Sequence, residues 1–160
     1  MTIPPYLGDH ASGNMWDDLG KGAPTIMALA RLCGEALGRS ITPPDTLSAE
    51  ACCLLYLSRE RGAFEVKATD NAFDAIDRFL TVHVEIQEDE LLPIKIRGDA
   101  AATSQLFAGF CELCTCGLVM HHIYRDFSLT PAGFERGQNI SRQPIETLLE
   151  RIAGDQAENL

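Results

Sequence analysis

The chain has 160 residues, 46% hydrophobic and 22% charged, which suits one ordinary domain whose core needs no disulfide or metal staples. Its net charge is −10, spread as −2, −4, −1 and −3 over residues 1–62, 63–97, 98–143 and 144–160. No segment is basic, which argues against nucleic acid and anionic membranes as main partners, because phosphate contacts draw on Lys and Arg.

In chain order, residues 1–22 are rich in Gly, Pro and Asp and read as an irregular N-terminal segment. Within it Trp16 and Leu19 could dock a short turn against the body. The start has no basic stretch followed by an apolar one, so no signal peptide is expected. One globular domain is expected over 23–153, with a frayed tail over 154–160. From Pro24, Ile26, Leu29, Ala30, Cys33 and Leu37 recur at helical spacing, and Gly38 reads as the stop. Thr42 to Asp45 reads as a linker. A second helix opens near Ser48 and ends by Gly62. Its run Ala51 to Leu57 is apolar almost all round, which marks a central helix and is far too short to span a bilayer.

Phe64, Val66 and Ala68 alternate with polar residues, as in a strand. After Asp70 a helical stripe of Ala72, Phe73, Ile76, Phe79 and Leu80 follows. Two period-2 runs then flank the acidic turn Gln87 to Glu90. They are Val82, Val84, Ile86 and Leu92, Ile94, Ile96, a predicted hairpin with Pro93 on an edge strand. Gly98-Asp99 opens a helix with the stripe Leu106, Phe110, Leu113, closed by Gly117. Two short strands follow, and Thr130-Pro131 starts the next helix with a capping hydroxyl and a proline at the first helical position. Pro144 starts a last helix whose face Ile145, Leu148, Leu149, Ile152 either packs on the body or forms a homodimer seam over 144–153. The expected fold class is α+β, mostly helical, with a winged-helix-like C-terminal half over 99–140 and a small antiparallel sheet.

The segment 106–133 resembles the recognition helix and wing of winged helix-turn-helix regulators of the MarR and PadR type. The matching residues are Gly117-Leu118-Val119, then Phe127-Ser128-Leu129-Thr130-Pro131-Ala132-Gly133. The resemblance implies a helical domain with a small sheet and dimerisation through terminal helices. Such regulators carry basic residues on the recognition helix and wing tip. Here residues 99–116 hold Asp99 and Glu112 and no Lys or Arg, and the predicted hairpin at 81–97 stands where the family has a short helix. Winged helices also serve as protein-interaction modules, a use that tolerates an acidic surface.

Chemical motifs are sparse. His83-x-Glu85, followed by Cys111-x-x-Cys114, is similar to the zinc-deaminase signature, with His83, Cys111 and Cys114 as ligands and Glu85 as acid/base. Phe110 stands where that signature has proline. A looser metal set would join Cys111, Cys114 and Cys116 to His121 or His122. The plainer reading of the six cysteines is buried reduced thiols, which points to the cytoplasm. No catalytic, cofactor or metal residue is therefore assigned. The expected function is a non-enzymatic cytoplasmic regulatory or adaptor module that binds another protein or itself. His122, Tyr124 and Arg125 at the wing are its candidate contacts. A dimeric DNA-binding regulator and a zinc-dependent deaminase are the alternatives.

Overall fold

The computed structural model describes residues 23–68 and 79–157, the side chains of 155–157 excepted. The expected irregular segment 1–22, most of the helical stripe after Asp70 and residues 158–160 lie outside these. The described chain folds as α+β, with five α-helices and a five-stranded antiparallel sheet. The elements run α1 (Pro24–Arg39), α2 (Ala49–Ser58), β1 (Ala63–Ala68), β2 (Leu80–Gln87), β3 (Glu90–Pro93), α3 (Ala100–Thr115), β4 (Val119–His121), β5 (Asp126–Leu129), α4 (Pro131–Gln138) and α5 (Glu146–Ala157).

Local chemistry explains most boundaries. Ser48 caps α2 by accepting from Ala51 N at 3.1 Å, Asp99 caps α3 from Ala102 N at 2.9 Å, and Thr130 caps α4 from Gly133 N at 3.1 Å. Helix α1 runs past the expected stop at Gly38 and ends where Ser40 takes the left-handed conformation, at φ 50°. Its amide reaches back to Leu37 O, so a hydrogen bond replaces the glycine. Leu80, expected at the end of a helical stripe, instead opens β2 and pairs with Ala68. Pairing with β1 offers its backbone a ladder that a helix end would leave unmade.

The sheet order is β3-β2-β1-β5-β4. β5 returns to pair with β1 (Phe64 opposite Phe127), and so joins the β4–β5 hairpin to the β2–β3 hairpin. Pro93 sits on the edge strand β3 opposite His83, where its missing N–H costs no ladder bond. The second strand stops there rather than at Ile96. Ile94 N still donates to Val82 O at 2.8 Å, and Ile94 and Ile96 turn into the core. Thr103 Oγ1 accepts from Ile96 N at 3.0 Å, which settles this irregular stretch against α3.

The helices cover the sheet face that presents Phe64, Val66, Val82, Val84, Phe127 and Leu129. At the centre α2 and α3 cross at Gly109. A Cβ there would stand 2.8 Å from Ala51 N and from Glu50 Cβ. Glu112, one turn later on α3, accepts from Ser48 N at 3.1 Å and from Ser48 Oγ at 2.5 Å, clamping the start of α2. The last helix begins as a single 3-10 turn, Gln143–Ile145, and runs to Ala157, beyond the expected fraying point at Gly154. Ile145, Leu149 and Ile152 are buried in the same core. The apolar face expected to pack or to dimerise over 144–153 is thus used within the chain and is not free as a seam. None of the described helices is long and apolar enough to cross a membrane.

Candidate functional site at the hairpin turn

The β4–β5 hairpin turns through Ile123, Tyr124, Arg125 and Asp126. Asp126 N donates to Ile123 O at 3.0 Å, and His122 N donates to Asp126 O at 2.9 Å. Tyr124, the first central residue, has φ 51°. Type I′ and II′ turns need a positive φ there, and glycine often supplies it, because a Cβ strains that conformation by roughly 1–2 kcal/mol. This chain places an aromatic residue in that position.

Several contacts hold the turn in this shape. The His121 ring meets the Phe127 ring edge-on at 4.9 Å, and its Nε2 lies 2.6 Å from Tyr124 O. A carbonyl only accepts, so Nε2 carries the proton. Phe127 in turn packs on Phe110 at 5.2 Å, and Phe110 on Phe64 at 5.3 Å. A file of rings therefore runs from the α3 core to the turn. On the outer side, His122 Nε2 lies 2.6 Å from Ser128 Oγ. Arg125 Nε bonds Glu65 Oε1 at 3.0 Å, and Arg125 O accepts from Val66 N at 2.9 Å. The turn is thus tied to both β1 and β5.

Its apolar side chains nevertheless face outward. Ile123 is 53% exposed and Tyr124 41%. Of the three residues expected to meet a partner, Tyr124 is presented outward, while His122 is bonded back to β5 and Arg125 is ion-paired with Glu65, a carboxylate that Lys67 shares. Ile123 and Glu65 are not among the residues expected from the sequence. The signal for Ile123 is present, since Ile-Tyr occupies turn positions where Gly, Asn and Asp are the rule. Glu65 is distant from Arg125 in the sequence, and only the β1–β5 pairing joins them.

The other candidate residues do not converge. His83 is buried on β2, on the sheet face opposite the helices, because it alternates with the core residues Val82 and Val84. Burial lowers its pKa, outweighing the hydrogen bond from Nδ1 to Thr81 O. Glu85 shares that face and is ion-paired with Arg61 at 3.0 Å. Cys111 and Cys114 lie across the sheet on α3, with Cys114 fully buried. The sheet therefore separates the two halves of the deaminase-like set.

Cys116 caps α3 and is buried, and the Cys114 thiol acts on that of Cys33 of α1. That neighbouring thiol lowers the Cys33 pKa and raises that of Cys114. Burial raises the Cys111 and Cys116 thiols and pushes Cys53 up to about 12, the pattern of protonated core cysteines. Among the described residues no three His, Cys, Asp or Glu side chains form a group able to hold a metal ion. Compared with known proteins, the chain matches no family model, no curated protein and no solved structure.

Proposed function

We propose that the chain is a non-enzymatic cytoplasmic regulatory or adaptor module of winged-helix type, and that it binds another protein through Ile123 and Tyr124. The strand order β1-β5-β4, with α3 before the hairpin and α4 after it, supports the winged-helix reading. The observation that carries the binding reading is Tyr124, held at φ 51° with its ring in solvent beside Ile123. Strain that the surroundings maintain, on an exposed aromatic, is a feature of recognition surfaces. Protein is favoured over DNA by charge. Helix α3 carries Glu112 as its one charged residue and no cation. Nothing in that helix would neutralise phosphates.

A photoreactive amino acid at position 124 tests this reading in an extract of the source cells. The expected result is one dominant protein adduct that is missing when the same residue is placed at exposed Glu135. An adduct pattern equal to that control, or retention of the chain by random duplex DNA at low salt, would overturn it.

A further inference from the structure

Away from the hairpin, the α1–α2 linker, the lead-in to β4 and helix α4 frame a cleft of about 340 Å³. Pro43, Leu118, Ala132, Glu135, Arg136 and Asn139 line it. The last four recur at i, i+3, i+4 and i+7 and so share one face of α4, with Asn139 at its C-cap. Pro43, Leu118 and Ala132 make an apolar wall, to which the helix face adds a carboxylate, a guanidinium and an amide. Arg136 Nη2 donates to Pro44 O at 2.9 Å and to Asp45 O, which fixes the guanidinium without neutralising it. Among the described residues, its Nε and Nη1 have no hydrogen-bond partner. Neither Glu135 nor Arg136 is in an ion pair there, with each other or with a neighbour. Asn139 Nδ2 donates to Glu135 O at 2.9 Å, which leaves its Oδ1 as an acceptor.

We propose that this cleft binds a free apolar α-amino acid. The ligand carboxylate lies on Arg136, its ammonium on Glu135 and Asn139 Oδ1, and its side chain on Pro43, Leu118 and Ala132. Charge selects this class. Two opposite charges stand in one cleft and do not pair with each other, and a zwitterion matches both. A simple carboxylate would meet the like charge of Glu135, and a simple amine that of Arg136. Guanidinium and carboxylate form a charge-assisted pair, and the two carbonyls that hold Arg136 reduce the side-chain ordering that binding would otherwise cost. Size agrees, since the cleft lies at the lower end of the roughly 300–1,000 Å³ range of small-molecule sites. This site is separate from the hairpin turn and does not rest on the turn's binding a protein.

Amide nuclear magnetic resonance titration of the full chain tests this, with L-leucine, L-phenylalanine, L-leucinamide, N-acetyl-L-leucine and glycine as probes. Leucine or phenylalanine is expected to shift the amides around Leu118, Arg136 and Asn139 in a saturable way. Leucinamide, N-acetylleucine and glycine lack the carboxylate, the ammonium and the apolar side chain in turn. Each is expected to bind at least about tenfold more weakly. Two substitutions at exposed positions sharpen the test. Glu135→Gln removes the charge that meets the ammonium, and Ala132→Glu fills the cleft and opposes the carboxylate. Each is expected to weaken leucine binding at least about tenfold, with the same spectra showing that the variant is folded; either one suffices if the other is not. The proposal is overturned if neither leucine nor phenylalanine shifts these amides at millimolar concentration. Equal binding of leucine, leucinamide and N-acetylleucine would also overturn it, as would undiminished leucine binding in a folded variant.

Discussion

The α2–α3 crossing and the β4–β5 turn both carry large apolar side chains and use them in opposite ways. At the crossing the central apolar side chains are used inside: Ala51, Cys53, Leu54, Phe110 and Leu113 are fully buried, and Gly109 lets the backbones touch. At the turn, Ile123 and Tyr124 face solvent while hydrogen bonds, an ion pair and a ring contact hold the backbone beneath them. Burial accounts for the first region and cannot account for the second. The proposed binding surface is this turn, whose shape is held while its apolar side chains are left in water.

Truncation at the crossing should break the molecule. Phe110→Ala removes a side chain that contacts both Phe64 and Phe127 at the sheet, and a loss of about 3–5 kcal/mol in denaturant unfolding is expected. Gly109→Ala should cost about 1–3 kcal/mol, because the new methyl meets backbone of α2 at 2.8 Å and the helices must separate. If either change costs less than Ile123→Ser, the contrast between the two regions fails. An exposed Ile123→Ser should lie within about 0.5 kcal/mol of wild type.

An intermediate effect comes from His83. Burial holds its folded pKa below the ordinary 6.5, so the unfolded chain binds the proton more readily. The groups that act on its charge are Lys67, Glu65 and Lys95. Its contribution to stability is complete above pH 6.5 and is lost as pH falls from 6.5 toward the lower folded value. One such group changes stability by at most about 1.4 kcal/mol per pH unit. The wild type should therefore lose stability faster than His83→Gln between about pH 6.5 and 5. Parallel slopes would place His83 in water.

Much of the fold is legible in the sequence itself. Ser48, Asp99 and Thr130-Pro131 announce their helices, because capping depends on near neighbours in the chain. The alternations at 64–68 and 82–86 announce strands for the same local reason. What stays hidden is long-range. Nothing in the spacing says that β5 pairs with β1, or that Glu112 holds Ser48 across 64 positions. The stripe ending at Leu80 misleads because apolar spacing alone cannot tell a helix end from a strand start, and β1 decides it. At the hairpin, the segment 117–133 locates the turn correctly. His122 and Arg125 stand out in the sequence for charge and hydrogen-bonding capacity, which the fold uses on Ser128 and Glu65.

The most direct test uses Tyr124→Gly, measured against the partner captured at position 124. Glycine relieves the positive φ and removes the ring. The account predicts unfolding stability unchanged or raised by up to about 1 kcal/mol, as strain relief of roughly 1–2 kcal/mol offsets the chain entropy of glycine. Partner affinity should fall at least about tenfold, the loss of a central aromatic contact. Undiminished affinity in a stably folded Tyr124→Gly chain would contradict it.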